Sequence, residues 1–152
     1  MVFLKWWLVW WVIGLVLIDW SQWQKGYATV LAGVVGSFFL DTAFVYKGFW
    51  KYHDPMLPGL WPNITLNLGL YPIGTWIFLQ KLPRRFWCQA VWVLIGASIL
   101  IAVEFHLLST GRIRYDHGWH IGYSWVANVV LLVLLLLHYR LVEKRLCRIG
   151  RY

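Results

Sequence analysis

The sequence predicts an all-α polytopic membrane protein, a helix bundle of five transmembrane helices forming a single integral membrane domain over residues 1–152. Three observations predict it. Apolar residues make up 61% of the 152 positions and charged residues only 13%, which leaves too little polar surface for a water-soluble domain of this size. Five apolar stretches have lengths near the roughly 20 residues that cross a hydrocarbon core. Four of them carry polar side chains at a similar depth from one face, and lipid gives such groups nothing to bond, so they should point at one another.

The first helix is expected at residues 3–18. Lys5 followed by an apolar run to Ile18 has the outline of a secretory leader, but Asp19, Trp20, Ser21, Gln22 and Trp23 supply no small-x-small cleavage site, so the segment reads as a retained span. It has no polar stripe and belongs at the periphery. The second helix, 27–45, places Gly33, Ser37 and Asp41 four residues apart on one face. Residues 47–63 (KGFWKYHDPMLPGLWPN) form the longest connection; Pro55, Pro58 and Pro62 exclude a regular helix there, and the segment is expected to cap the bundle mouth.

The third helix, 64–80, continues the spacing with Asn63, Asn67, Tyr71 and Thr75. Pro72 lacks an amide for the carbonyl four residues back, which predicts a bend with that carbonyl facing the pocket. The fourth, 86–108, carries Ala97, Ile101 and Glu104 as a stripe, with His106 on another face. Residues 109–118 make a second loop bearing Arg112, Arg114, Asp116 and His117. The fifth helix, 119–139, aligns His120, Ser124 and Asn128, and a basic tail follows at 140–152.

Helical rise puts Asp41, Asn67, Glu104 and Ser124 about 6 Å inside one end of the bundle, with Ser37, Tyr71 and Asn128 about one turn deeper. The opposite halves of the helices look comparatively bare. Of the thirteen Trp and eight Tyr, Trp20, Trp23, Tyr27, Tyr46, Trp50, Tyr52, Trp61, Trp87, Tyr115, Trp119 and Tyr139 gather at helix ends, as expected of side chains that anchor at the headgroup level. Nine Lys and Arg fall on one side of the predicted spans and five on the other. This places the protein in the cytoplasmic membrane with the C-terminus cytoplasmic and the N-terminus external.

The net charge of +8 lies at helix ends rather than on a soluble face, so anionic lipid headgroups of the bilayer are the expected partner and nucleic acid is not. Cys88 and Cys147 fall near the cytoplasmic side, where thiols stay reduced, and no disulfide is expected. Asp116, His117 and His120 have an H-x2-H spacing beside a carboxylate, but it is loose; no metal and no cofactor is assigned.

Two functions fit the pocket. In one, a binding or assembly subunit holds an amphiphilic ligand or a partner helix, its carboxylates paired with Lys47, Arg112, Arg114 or a histidine. In the other, Asp41 and Glu104 are the catalytic acid and its partner in a membrane enzyme acting on an isoprenoid or lipid. Trp50, Tyr71 and Trp125 would then stabilise positive charge. Ser37, Asn63, Asn67, Tyr71, His120, Ser124, Asn128 and Trp50 line the pocket in either case. Asn67, Ser124 and Asn128 also suit ordinary interhelical hydrogen bonding. Transport by five helices without a repeat would call for a homo-oligomer.

The runs WPNITLNLGLYPIGTWIFLQKL (61–82) and VEFHLLSTGRIRYDHGWHIGYSW (103–125) resemble a family of small, functionally uncharacterised polytopic membrane proteins of Gram-positive spore-forming bacteria. That resemblance implies a bacterial multi-helix membrane protein. The stretch FLDTAFVYKGFWKY (39–52) is similar to the Asp followed by G-x-W-x-Y or F of heterodimeric, lycopene-cyclase-type membrane enzymes. In those enzymes a Pro-rich loop leads to a helix bearing acidic residues. Here Pro62 and Asn63 take that place without carboxylates, leaving Glu104 on the fourth helix as the substitute.

Overall fold

The computed structural model describes residues 2–24, 26–56 and 59–149, with side chains described through Val142. Five helices carry the fold: α1 (Val2–Leu17), α2 (Tyr27–Tyr46), α3 (Trp61–Gln80), α4 (Phe86–Ser109) and α5 (Ile121–Ile149). A 3-10 turn over Trp20–Gln22 joins α1 to α2, and two short strands, β1 (Trp50–Tyr52) and β2 (Ile113–Tyr115), pair across one end.

Three helices, α2, α4 and the Ile121–Val142 part of α5, are long and apolar enough to cross a membrane. Less than a third of each such window is buried inside the bundle, so most of its apolar surface faces outward, as lipid-contacting helices require. The apolar α1 is shorter, at 16 residues. In α3, by contrast, twelve of twenty residues are buried. That central position explains its composition: Asn, Gly, Pro and Thr are tolerated where a helix touches protein on most sides.

α3 packs extensively against α1 and α2; α2 also meets α5, and α5 meets α4. α3 and α4 hardly touch, which leaves a gap in the ring formed by α2 to α5, with α1 outside α3. Two glycines allow the α1–α3 approach. Gly14 faces Ile73, and Gly69 lies against Trp7 including its backbone.

Several expectations need correction. α3 begins at Trp61, not at 64, because a proline in the first turn loses no helical hydrogen bond, and Pro62 occupies that position. The carbonyl freed by Pro72 does not face a pocket: Leu68 O accepts the Trp11 indole N–H of α1 at 3.2 Å. α5 starts at Ile121 and its helix runs on to Ile149 through the expected tail, whose Leu, Glu, Lys and Arg favour helix. The all-α class holds, with five helices carrying the fold; β1 and β2 add one short antiparallel pair with Trp50 opposite Tyr115 and Tyr52 opposite Ile113.

The far halves of the helices are not bare either. Thr29, fully buried, has its hydroxyl 2.9 Å from His138 Nδ1. Gln89 donates to the Pro83 carbonyl at 2.7 Å and accepts from Arg140, while Gln80 exchanges two hydrogen bonds with the Asp19 backbone at 2.9 and 3.1 Å. These close the tail end of the bundle and lie apart from the cavity described below.

Candidate functional site

The strand pair is a small device for aiming side chains. Alternation puts Trp50, Tyr52, Ile113 and Tyr115 on the face toward the helices and Lys51 and Arg114 toward the outside. The ladder is lengthened by His53 N–H to Arg112 O at 2.9 Å and Asp116 N–H to Phe49 O at 2.8 Å. The outer Lys51–Asp116 ion pair spans 3.8 Å with both side chains at least half exposed, so it adds little. The Asp116 carboxyl is held below the usual aspartate range, first by the His117 backbone N–H.

Each strand serves one carboxylate. Asp41 of α2, 7% exposed, accepts at Oδ1 from the Trp50 indole at 2.9 Å and the Tyr52 hydroxyl at 2.8 Å, both from β1. Its Oδ2 accepts from Asn67 Nδ2 of α3 at 3.0 Å. Asn67 in turn donates to the Asn63 carbonyl and Oδ1, both at 2.9 Å. Glu104 of α4 accepts at Oε1 from the Tyr115 hydroxyl of β2 and from Ser124 Oγ of α5, the latter at 2.7 Å. Ser124 Oγ also accepts the Trp119 indole N–H at 2.9 Å. Two carboxylates on different helices are thus each tied to one strand and one neighbouring helix, and the β1–β2 ladder joins the two sets.

The cationic partners anticipated for these acids are not used. Among the described residues every hydrogen-bond donor to Asp41 and Glu104 is neutral, and the strand cations Lys51 and Arg114 are turned outward by alternation.

Between the two carboxylates lies a cavity of about 90 Å³. Ser37, Asp41, Trp50, Tyr71, Glu104, Ser124 and Asn128 all line it. Asn63 and Asn67 are buried behind Asp41 and do not reach it. His120 lies outside: it precedes α5, is exposed, and stacks on Tyr123 with ring centroids 4.0 Å apart. Trp125 is also outside, 36% exposed, with its indole directed to Ser98 at 3.4 Å.

Three aromatic residues that line the cavity escaped the sequence reading: Tyr52, the Asp41 donor from β1, and two others. Phe44 follows Asp41 by three residues on the same helical face, and Trp119 sits just before α5. With Trp50 they form a triangle of rings whose centroids are 5.0 to 5.3 Å apart. Trp119 reads as an interfacial anchor from position alone; its pocket role depends on the turn that precedes α5.

A second cavity, of about 100 Å³, lies beside the first. Leu70, Tyr71, Leu100 and Leu131 border both spaces. Its other walls are mostly apolar, including Trp10, Phe78, Trp92 and Ile95, and it lies between α3 and α4, which approach closely only around Trp92, whose indole donates to the Phe78 carbonyl at 3.0 Å. Among the described residues no three His, Cys, Asp or Glu side chains gather to hold a metal; His117 is exposed, its Nδ1 2.9 Å from the Gly48 carbonyl.

The acids leave a signature on the cap tyrosines. Burial first, and the Asp41 charge second, push the Tyr52 phenol well above its usual value of 10.0. Burial and then Glu104 raise Tyr115 in the same sense. In the unfolded chain these phenols ionise near pH 10, whereas the folded ones do so later, so stability falls as pH rises above 10. An alkaline titration followed by tyrosinate absorbance should show a late component, reduced by Tyr52→Phe and by Tyr115→Phe. Simultaneous ionisation of all tyrosines in the folded protein would contradict the buried carboxylate–phenol contacts.

Comparison with protein-family models, with curated proteins and with solved structures finds no match for this chain.

Proposed function

We propose that this chain is a small integral membrane protein of five spans that binds an amphiphile. The polar end of the ligand rests between Asp41 and Glu104, and its apolar end occupies the chamber beside α3 and α4. One observation supports this reading: a cavity bearing two carboxylates lies directly beside an apolar one, the two sharing Leu70, Tyr71, Leu100 and Leu131 as walls. The apolar chamber lies at the gap between α3 and α4, a lateral route from the bilayer. A partner helix, about 10–12 Å across with its side chains, does not fit spaces of about 90 and 100 Å³.

The uneven distribution of Lys and Arg supports a cytoplasmic C-terminus. The strand cap and the polar cavity then face the outside of the cytoplasmic membrane. In this reading α1 and α3 also span, α1 by local thinning of the bilayer around a short helix and α3 sheltered by its neighbours.

Gly74 provides the test. It borders the apolar chamber, and a Cβ built there meets nothing within 4 Å, so Gly74→Leu fills the chamber without disturbing the packing. Dodecanol added to the detergent-solubilised protein should quench or shift Trp emission saturably, because Trp10 and Trp92 line the space. Gly74→Leu should weaken that response at least tenfold with an unchanged melting temperature. An equal response from the variant would identify unspecific partitioning and end the proposal.

A second reading, acid–base catalysis on an isoprenoid or other lipid, rests on a single observation. The two carboxylates face one cavity from different helices, an arrangement that suits a proton donor and its partner. It requires a lipid product that appears in membranes containing the natural chain and is missing with Glu104→Gln.

A further inference from the structure

The charge of the ligand can be read from what the polar cavity leaves unfilled; this inference deepens the amphiphile-binding reading and rests on it. Glu104 accepts two hydrogen bonds at Oε1, but its Oε2 takes none from any described residue. Asn128, 9% exposed and lining the cavity, gives its amide nitrogen to the Ser124 carbonyl at 3.0 Å, and its side-chain oxygen receives no donor among the described residues. The Tyr71 hydroxyl, bordering both cavities, has no hydrogen-bond partner among the described residues either. Acceptors are in excess, and no Lys, Arg or His lines the space.

Two carboxylates at one cavity without a cation are costly unless a proton or a positive guest completes them. The remaining walls suit a positive guest. Phe44, Trp50 and Trp119 turn a cluster of rings to the same cavity, and aromatic faces attract ammonium groups. A phosphate or carboxylate head would add a third negative charge. A hydroxyl head can donate one hydrogen bond and leaves the carboxylates uncompensated.

We propose that the cavity selects the protonated amine of a single-chain cationic amphiphile, which donates its N–H groups to Glu104 Oε2 and Asn128 Oδ1 while its alkyl chain fills the apolar chamber. Donated hydrogen bonds distinguish it from a quaternary ammonium head, which offers only charge. The limited volume, about 90 Å³, distinguishes it from phosphatidylethanolamine, whose amine arrives attached to a phosphodiester.

Dodecylamine, dodecyltrimethylammonium and dodecanol share one chain and differ in the head, so they separate the two layers of the argument. The full-length protein in neutral detergent at pH 7, followed by Trp emission and by calorimetry, should bind dodecylamine at least tenfold more tightly than dodecanol, with the trimethylammonium compound between them. Glu104→Gln should remove that advantage, leaving dodecylamine no more than twofold tighter than dodecanol. Phosphatidylethanolamine in mixed micelles should not displace the amine.

Equal affinity for dodecylamine and dodecanol, both sensitive to Gly74→Leu, would overturn the choice of head while the amphiphile site stands. Insensitivity of all three probes to Gly74→Leu would overturn the site itself. Displacement by phosphatidylethanolamine would also refute the single-chain assignment. The head-group ranking on the natural chain decides the matter even if Glu104→Gln fails to fold.

Discussion

Asp41→Ala is expected to destabilise the folded protein by about 2–4 kcal/mol, seen as a lower melting temperature in detergent by circular dichroism. The carboxylate accepts from the Trp50 indole, the Tyr52 hydroxyl and the Asn67 amide. Asn67 Nδ2 retains its two acceptors on Asn63, so its loss is small. The Trp50 and Tyr52 donors have no other hydrogen-bond acceptor among the described residues, and each stranded buried donor costs about 1–3 kcal/mol. Removal of a buried acid returns part of that by relieving its desolvation.

Asp41→Asn provides the contrast. Its carbonyl can still accept from β1, but its amide then faces the Asn67 amide, donor against donor, so the loss should be intermediate. The effect should also be localised. Once Trp50 and Tyr52 are released, β1 loses its hold on the helices, and amide exchange should rise first across Trp50–Tyr52 and Ile113–Tyr115. Unchanged melting and exchange in Asp41→Ala would mean that Asp41 does not anchor the cap.

Much of this architecture is legible because long apolar runs, and the few polar groups set within them, constrain both backbone and side chain. Apolar runs mark the helices, and an acid at depth must have partners. Helical rise places Asp41, Asn67, Glu104 and Ser124 at one height; the structure joins Asn67 to Asp41 and Ser124 to Glu104 by hydrogen bonds. Height alone does not specify rotation about the helix axis. For that reason Asn63 and Asn67 fall behind Asp41 while Ser37 and Asn128 reach the cavity.

The partners from the loops were harder to read, for a physical reason. Trp50, Tyr52, Tyr115 and Trp119 sit at helix ends, where an amphipathic ring serves equally as a membrane anchor or as a donor to a buried acid. A signal nevertheless exists in the alternation of Trp50, Lys51, Tyr52 and of Ile113, Arg114, Tyr115, apolar–charged–apolar in both strands. Three residues are too few for periodicity to register. α3 shows the opposite effect: the polar and small residues that make it look a poor span are the mark of its central place.

The α1–α3 contact should prove the most separable part of the fold. A Cβ at Gly69 would lie 2.9 Å from Trp7 Cδ1 and 3.1 Å from Trp7 Cα. The second contact is with backbone, which cannot rotate away, so Gly69→Val must push the two helices apart. Overpacking of this kind costs about 1–3 kcal/mol, and loss of the neighbouring Trp11–Leu68 hydrogen bond adds about 0.5–1.5 kcal/mol. The total is about 2–4 kcal/mol, borne by one interface. In lipid or detergent no hydrophobic force opposes the separation, because Leu15 and Val16 of α1 are already outward-facing and the rest of the helix is almost entirely apolar. The expected outcome is undocking of α1 with α2 to α5 intact: faster amide exchange and protease cleavage near Asp19, with the late titration of Tyr115 retained and that of Tyr52, whose ring meets Phe3 of α1 at 5.7 Å, moved earlier. Gly36→Val is the matched control, since a Cβ at Gly36 meets nothing within 4 Å while the change in helix propensity is the same. Equal effects from the two substitutions would show that propensity, not close approach, governs the Gly69 position.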